Sequence, residues 1–419
     1  MKKILYVILD GLGDEPHPDL DGRTPLQAAK TPNLDSLARK GRSGTVVTVG
    51  EGIAPESDIA VFAILGYDPH TQHAGRGPLE ALGVGLEMND GDLAWRANFA
   101  TVDESGIIVD RRAGRDLSTD EARALADAVN GSVSLESAKA TFLATSEHRA
   151  VLHLRAGEPL DAEISNSDPA YERRGSLGIA LETFEPYPKA CVALNESEGA
   201  RLGADLTNAW SESARAALSD HEVNRARTAR GRPPANIVLV RDAGDHIPRV
   251  PSLRERFGMS FACFAEMPVE IGISKVTGME PILVTSPADA AGYAKLAERA
   301  LEALEGFDGL YVHLKGPDVP AHDGRALDKR DVIAMIDEGY FGTILPEMGR
   351  SVILAVTADH STSCVRKAHT ADPVPLVVAG GTLSSDGTKA YSELDATGGG
   401  LGRLKGIEVL PMLVEMARG

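Results

Sequence analysis

The sequence predicts an α/β fold whose core is a doubly wound, mainly parallel sheet. Uninterrupted apolar runs, typical of strands buried on both faces of a parallel sheet, recur near both ends of the chain. Helical stretches lie between the late runs, which gives the β–α alternation of such folds. The predicted strands are residues 4–9, 281–284, 309–314, 351–356 and 374–378.

Three of these strands end at residues that can bind a ligand. Residues 4–9 end at Asp10, residues 309–314 lead to Asp318, and residues 351–356 lead to the pair Asp359 and His360. Ligands of open parallel sheets bind beyond the carboxyl ends of the strands. We therefore expect these side chains to meet at one edge. The intervening helices are predicted at residues 288–304 and 326–345.

The middle of the chain has a different character. Residues 74–252 contain shorter strand candidates, arginine-rich turns and predicted helices at residues 119–129 and 211–218. We interpret this region as an inserted α/β cap domain that binds substrate. Residues 1–73 and 253–419 then form the core domain that contains these strand ends.

Composition excludes several classes of protein. The 419 residues include 43% hydrophobic and 25% charged residues, an ordinary soluble balance, and no apolar run approaches the roughly 20 residues of a membrane span. The N-terminus lacks the features of a signal peptide, so a cytoplasmic location is expected. A formal net charge of −18 argues against nucleic-acid binding, and a phosphorylated small-molecule substrate would need local arginine or metal charge. Whether the chain forms a homo-oligomer is left open.

Carboxylates and histidines suggest a metal centre. Asp318 and His322 are four residues apart in the loop after a predicted strand, and the other candidate ligands are Asp10, Asp359, His360 and His369. Six such donors without thiolate suit manganese, magnesium or zinc, and they exceed what one tetrahedral ion uses. Two ions are the economical interpretation. The alternative is that the acidic residues cap helices and the histidines are satisfied polar groups.

The three cysteines form no C-x-x-C pair, so they suggest neither a disulfide framework nor a thiolate zinc site.

Ser57 is the candidate nucleophile. It precedes the apolar stretch 59–65 and is predicted to be the N-cap of a helix there. Helix capping alone would explain a serine at this position. The other explanation is chemical: a divalent ion would lower the pKa of the hydroxyl, and the helix N-terminus would hold a phosphoryl group. The sequence has neither a G-x-x-x-x-G-K-[ST] phosphate loop nor a G-x-S-x-G elbow around Ser57.

These residues resemble the metal and nucleophile set of the alkaline-phosphatase superfamily, and of archaeal-type cofactor-independent phosphoglycerate mutases in particular. The resemblance covers nearly the whole chain and rests on the segments 9–14, 22–26, 31–35, 65–69, 75–80, 98–101, 110–115, 359–362 and 369–375. It implies that Asp318, His322 and His369 hold one divalent ion. It implies that Asp10, Ser57, Asp359 and His360 hold a second divalent ion, so that residues 1–73 and 253–419 form a metal-binding phosphotransfer core. Manganese is the first choice, with magnesium, cobalt or zinc as alternatives, and 2,3-bisphosphoglycerate is not needed.

The resemblance also implies the reaction of glycolysis and gluconeogenesis that interconverts 3-phosphoglycerate and 2-phosphoglycerate through a phosphoserine. Arg112 and Arg115 are then catalytic residues that also grip substrate. The remaining substrate-binding candidates are Arg76, Arg96, Asn98 and Arg241.

Three residues depart from the pattern of that family near the phosphate. Glu56 stands where a small residue is usual, Val61 where an asparagine is usual, and Ile271 where a lysine is usual. Lys275 or a cap arginine would have to offset the positive charge lost with that lysine. Two rival functions therefore stay open. One is a metal-dependent phosphohydrolase or another phosphomutase of the same superfamily. The other is a metal-binding protein that senses or sequesters a phosphorylated metabolite without turnover.

Overall fold

The chain is divided into two compact units. The computed structural model describes residues 1–175, 177–181, 183–349 and 351–419. The first unit comprises Met1–Gln72, Val250–Glu266 and Ser274–Gly419, and the second comprises His73–Arg249 and Met267–Ile273. Among the described residues, no helix is both long enough and apolar enough to cross a membrane.

An eight-stranded sheet forms the centre of the first unit. Seven of its strands run in one direction, so the sheet is mainly parallel, as the sequence predicts. Val374–Gly380 runs antiparallel to both of its neighbours. In sheet order the strands are Glu280–Leu283, Phe261–Ala265, Gly309–Leu314, Lys3–Leu9, Val352–Thr357, Val374–Gly380, Arg42–Val47 and Gly402–Lys405.

Helices and a small two-stranded ladder complete this unit. The predicted helix 326–345 is not continuous, because a π-helical turn, Asp337–Phe341, separates two α-helices. The ladder pairs Ser361–Ser363 with Ala368–Thr370. The helices are Pro25–Ala28, Pro32–Lys40, Ser57–Ile64, Pro69–Gln72, Leu253–Phe257, Ala290–Gly306, Asp318–His322, Ala326–Ile336, Gly342–Glu347, Glu393–Thr397 and Gly406–Arg418, and Pro268–Thr277 is shared with the second unit.

The order of the strands places the candidate ligands. Lys3–Leu9 is almost wholly buried and lies between two parallel strands, with Leu9 opposite Leu314 and Ile8 opposite Thr357. The carboxyl ends of three adjacent strands therefore lie side by side. Asp10 follows one of them directly, and the loops carrying Asp318 and Asp359 follow the other two.

The second unit is built on a five-stranded antiparallel sheet around the strand Leu93–Val102. Side chains alternate across this strand: Trp95 and Phe99 enter an apolar core with Phe142 and Trp210. Arg96 is on the opposite face. The other strands are Ile108–Asp110, Ala138–Ala144, Arg149–Ala156 and Ile237–Gly244, with a hairpin of Tyr171–Arg174 and Leu177–Ala180, and the helices are Arg76–Gly83, Thr119–Ser132, Glu198–Ser219 and Glu222–Ala229.

Candidate active site

The predicted metal-ligating side chains converge within the first unit. Asp318 and His322 occupy the first and last positions of the short helix Asp318–His322, and His369 lies opposite Thr362 in the two-stranded ladder. The Nε2 atom of His322 is 3.4 Å from Asp318 Oδ2, and that of His369 is 3.7 Å from Asp318 Oδ1. His360 Nε2 lies 3.6 Å from Asp10 Oδ1 and 3.2 Å from Asp359 Oδ2.

Backbone carbonyls determine which ring nitrogen of two histidines carries hydrogen. Nδ1 of His369 lies 2.7 Å from the carbonyl oxygen of Pro55, and Nδ1 of His322 lies 3.2 Å from that of Lys367. A carbonyl only accepts, so each Nδ1 donates, and in the neutral rings each Nε2 is an acceptor. These two acceptors are 3.2 Å apart. Two lone pairs facing each other at this distance repel unless a cation lies between them, and ligand nitrogens of one tetrahedral zinc ion are about 3.3 Å apart.

Thr362 orients His360 in the same way. The Thr362 hydroxyl donates to Asp318 Oδ1 at 2.8 Å, because a carboxylate oxygen only accepts. It must therefore accept a hydrogen bond from His360 Nδ1, which is 3.0 Å away. One hydroxyl thus links Asp318 and His360 and leaves His360 Nε2 facing the carboxylates. Thr362 has no recognisable local signature as a site residue.

The carboxylates also have unused oxygen atoms that suit a cation. Asp359 Oδ1 accepts from the backbone N–H groups of Gly11, at 3.1 Å, and His360, at 3.0 Å. Within the described chain, the buried atoms Asp10 Oδ1 and Asp359 Oδ2 make no hydrogen bond. Both oxygens have His360 Nε2 as an ion-pair neighbour, at 3.6 Å and 3.2 Å. Burying an anionic oxygen without a hydrogen bond is costly, so these atoms fit a site that binds positive charge.

Electrostatics in this cluster favour ionised carboxylates. Burial alone would raise the pKa of Asp318, but the nearby His369, His322 and His360 outweigh it and lower the pKa to about 2. Burial opposes protonation of His360, yet Asp359 with Asp318 and Asp10 raises the pKa of His360 to about 9. The carboxylates thus hold a positive charge here, whether a proton or a metal ion supplies it.

Ser57 is the first residue of the helix Ser57–Ile64, and Glu56 is its N-cap. The prediction that Ser57 is the N-cap is therefore wrong, because the helix begins one residue earlier than the apolar pattern indicated. The Ser57 hydroxyl oxygen instead lies 3.1 Å from His360 Nε2. This contact places the hydroxyl at the edge of the ligand cluster. Val61, one turn further on, is buried within the same helix.

His313 and Lys315 belong to the cluster although sequence reasoning did not select them. Nε2 of the buried His313 is 3.4 Å from Asp359 Oδ2 and 3.9 Å from Asp10 Oδ2. Lys315 Nζ is 2.9 Å from Asp10 Oδ2. Among the residues that the structure describes, two groups of three side chains lie close enough together to hold an ion. They are Asp318, His360 and His369, and Asp10, His313 and Asp359. A histidine inside an apolar strand gives no local signal of this role.

The substrate-binding candidates lie in the second unit. Arg96 is opposite Arg241 across paired antiparallel strands. Asn98, two residues on, is buried, and within the described chain its Oδ1 makes no hydrogen bond. Burial and the positive charges of Arg149, Arg96, Arg115 and Arg241 together lower the pKa of His148 to about 3. Several predicted arginines therefore surround a histidine that sequence reasoning missed.

Some of these arginines already form ion pairs with carboxylates. Nε of Arg76 lies 2.7 Å from Glu80 Oε1, and Nε of Arg96 lies 3.7 Å from the same oxygen. Arg241 lies 3.4 Å from Asp168 and stacks on the ring of Tyr171. Each of these contacts fixes a guanidinium group but also offsets part of its charge.

Arg112 and Arg115 lie on a turn that follows the strand Ile108–Asp110. The backbone N–H of Arg112 donates to Asp110 Oδ1 at 2.7 Å, and that of Arg115 donates to the Arg112 carbonyl at 2.9 Å. Arg112 is half-buried and Arg115 is exposed. The turn thus presents two guanidinium groups three residues apart.

Comparison with known proteins identifies relatives over the whole length. Residues 38–224 match the family model described as 2,3-bisphosphoglycerate-independent phosphoglycerate mutase. A relative of that name from Aeropyrum pernix is 44% identical, with 100% of both chains covered. Another from Methanopyrus kandleri is 38% identical, covering 99% of this chain and 96% of the relative.

Solved structures agree with these sequence matches. The cofactor-independent phosphoglycerate mutase from Thermoplasma acidophilum is 35% identical, covers 100% of both chains and superposes with a TM-score of 0.64. A Pyrococcus horikoshii protein is 29% identical, with a TM-score of 0.79 and coverage of 100% of this chain and 97% of that one. The chain therefore belongs to the family of 2,3-bisphosphoglycerate-independent phosphoglycerate mutases, which are isomerases.

Proposed function

We propose that this protein interconverts 3-phosphoglycerate and 2-phosphoglycerate through a phosphoserine on Ser57, at a site that binds two divalent metal ions. The observation that carries the proposal is the 3.1 Å contact between Ser57 Oγ and His360 Nε2 beside the converging carboxylates. A serine held only to begin a helix would not need this contact. The names of the full-length relatives support the same substrate class.

Two sets of side chains would hold the ions. Asp318, His322 and His369 form one set, supported by the facing Nε2 atoms of the two histidines. Asp10, Ser57, Asp359 and His360 form the other set, supported by the buried carboxylate oxygens without hydrogen bonds in the described chain. When bound, the ions would lower the pKa of the Ser57 hydroxyl and balance the charge of the phosphoryl group. Oxygen and nitrogen donors accept manganese, magnesium, cobalt or zinc, with manganese our first choice.

The reaction consists of two phosphoryl transfers. The Ser57 hydroxyl loses its proton and Oγ forms a bond to phosphorus while the bond from phosphorus to the substrate oxygen breaks, and the departing glycerate oxygen takes up a proton in exchange. Glycerate then reorients. Its other hydroxyl loses a proton and attacks phosphorus, the bond from phosphorus to Oγ breaks, and Oγ takes up a proton, which restores Ser57 unmodified. No bisphosphorylated cofactor is needed, because the serine stores the group between the two steps.

Arginines of the second unit would bind the substrate carboxylate and phosphate. We assign this role first to Arg112 and Arg115, because both lie on one turn, three residues apart. Arg96, Asn98 and Arg241 share a sheet face and form a second candidate group. Arg76 is a weaker candidate because its guanidinium lies 2.7 Å from Glu80. A substrate that carries about three negative charges needs several such groups.

The test is a coupled enolase assay on metal-stripped protein with 3-phosphoglycerate and added Mn²⁺, without 2,3-bisphosphoglycerate, while free phosphate is also measured. Activity should require Mn²⁺ and should be lost in Ser57→Ala. Ser252→Ala is the matched control, since Ser252 caps the helix Leu253–Phe257 in the same unit. Phosphate release without 2-phosphoglycerate would indicate a hydrolase, and Glu56, Val61 and Ile271 would then be the first residues to mutate. Metal and ligand binding without any transfer would indicate a binding protein.

A further inference from the structure

The turn that carries Arg112 and Arg115 has an unusual backbone. Ala113, Gly114 and Arg115 have φ angles of 46°, 81° and 54°, three successive residues in the left-handed region. Only glycine adopts this region without steric strain, so two of the three residues are held there against their preference. Such strain persists only where surrounding contacts impose it, and it is concentrated at functional sites.

Arg227 supplies those contacts. It lies near the end of the helix Glu222–Ala229, and its side chain is completely buried. Its Nη2 donates to the Ala113 carbonyl at 2.9 Å and to Asp116 Oδ1 at 2.5 Å. Its Nη1 lies 3.3 Å from the Asp116 carbonyl. Three hydrogen bonds from one guanidinium therefore hold the two ends of the strained turn.

The remaining donors anchor the guanidinium itself. Arg227 Nε donates to the Pro233 carbonyl at 2.9 Å, and Nη1 also donates to Glu121 Oε2 at 3.1 Å. These five bonds correspond to the five N–H groups of a guanidinium. Lysine has three donors on a flexible stem and could not reproduce this planar arrangement.

The charge of Arg227 is not directed at substrate. Asp116 and Glu121 both contact its guanidinium, and Asp116 also lies 3.3 Å from Arg232 Nε. A buried cation opposed by two carboxylates adds little to the field around an anionic ligand. What Arg227 provides is geometry: it determines the path of the backbone between Arg112 and Asp116.

We propose that Arg227 is a positioning residue for substrate binding, which acts by holding Arg112 and Arg115 in the orientation that grips the phosphoglycerate. The proposal rests on the function proposed above for those two arginines. Arg227 does not touch substrate. Its loss would let the turn relax towards ordinary φ values and move both guanidinium groups. Misplacement by about 1 Å is enough to cost a large factor in binding or turnover.

The experiment compares Arg227→Lys with Arg230→Lys in the full-length, Mn²⁺-loaded protein. Arg230 lies just beyond the same helix, its side chain is 62% exposed, and its contact to Glu121 is 3.9 Å long. For Arg227→Lys we expect a KM for 3-phosphoglycerate, and a Kd by calorimetry, at least tenfold higher. We expect unchanged Mn²⁺ affinity and a smaller effect on kcat. Arg230→Lys should match the wild type in each.

A lower unfolding temperature with unchanged KM and Kd would overturn the proposal, because it would leave Arg227 a purely structural role. If Arg227→Lys does not fold, Asp116→Asn takes its place. That change removes the charge of the carboxylate that accepts a hydrogen bond from Arg227 Nη2. A roughly threefold rise in KM is therefore expected, and an unchanged KM overturns the proposal. Failure of the proposed function is a separate result, since the wild type itself would then produce no 2-phosphoglycerate.

Discussion

His313 is buried in the strand Gly309–Leu314, beside two carboxylates of the proposed metal site. Its Nε2 lies 3.4 Å from Asp359 and 3.9 Å from Asp10. We predict that His313→Ala weakens binding of one of the two proposed ions by about 10- to 100-fold, the usual effect of removing a residue that orients metal ligands. Titration of the metal-stripped protein with Mn²⁺ would measure it. His70→Ala, at an exposed position in the same unit, is the control, and two unchanged affinities would contradict the prediction.

His148 should make the second unit sensitive to acid. Its pKa falls from 6.5 to about 3 through burial and neighbouring arginines. Between these pH values the unfolded chain binds a proton that the folded chain does not, so stability is lost as pH falls below 6.5. At pH 5 the loss is about 2 kcal/mol. His148→Gln should remove it, as measured by urea unfolding at pH 7 and pH 5.

The control for this pH dependence is His246→Gln. The pKa of His246 is raised, mainly by its hydrogen bond to Asp245, so its contribution has the opposite sign and is lost as pH rises. His246→Gln should therefore give no gain in stability at pH 5. Equal acid sensitivity of the wild type and His148→Gln would show that His148 is not responsible.

At the scale of elements, the helix Ala326–Ile336 contacts two loops that carry candidate metal ligands. Lys329 is fully buried and donates to the Gly13 carbonyl at 3.0 Å, Asp14 Oδ2 at 2.9 Å and the Thr362 carbonyl at 2.8 Å. Gly13 lies close to Asp10 in sequence, and Thr362 orients His360. The helix thus fixes the spacing of the two loops through one ammonium group.

Removing one member of this buried ion pair should be costly. We predict that Lys329→Met lowers the free energy of unfolding by about 3–5 kcal/mol, because Asp14 is left as an uncompensated buried charge. The double variant Lys329→Met/Asp14→Asn should lose less than the sum of the two single variants. Urea unfolding followed by circular dichroism measures both. Arg325→Met, whose ion pair with Asp328 is exposed, should cost about 1 kcal/mol or less. Additive losses would contradict the prediction.

Elements were predictable where local pattern decides them. The strand 309–314 has the predicted bounds, and the strands starting near residues 4 and 351 differ by one residue. The break after Ile336 was not predictable, because Asp337 accepts hydrogen bonds from the backbone of Asn33 and Leu34, some 300 positions away in sequence. The antiparallel direction of Val374–Gly380 likewise depends on its distant partners and not on its own apolar pattern.

In the candidate site, too, the residues that a local pattern marks were predictable and those defined by distant contacts were not. Asp10, Asp318 and Asp359 could be selected because each comes shortly after a strand, and parallel strands end at a common edge. Thr362 and Lys329 could not, because a hydroxyl or an ammonium that orients other ligands follows no fixed spacing. Among the arginines, charge clustering indicated Arg112 and Arg115, but nothing local distinguished Arg227, whose role depends on a fold that brings it to their turn.

At the scale of the whole molecule, the two units have separate cores and can be followed by different spectroscopic signals. Both tryptophans of the chain, Trp95 and Trp210, lie in the core of the second unit. All of the candidate metal ligands lie in the first unit. Tryptophan fluorescence therefore reports on the second unit, whereas far-ultraviolet circular dichroism reports on both.

This arrangement predicts that metal removal acts on one unit only. An ion present at 100 times its Kd stabilises the unit that binds it by about 2.7 kcal/mol, which corresponds to roughly 5–10 °C for a unit of this size. Chelation would remove both proposed ions, so it should lower the unfolding temperature seen by circular dichroism by about twice that amount. Added Mn²⁺ should restore it, and the fluorescence transition should stay in place. In His322→Ala/His369→Ala the response should be smaller, since one ligand set is incomplete. Equal shifts in both signals would mean that the units unfold as one cooperative body, because binding energy delivered to the first unit would then stabilise the second.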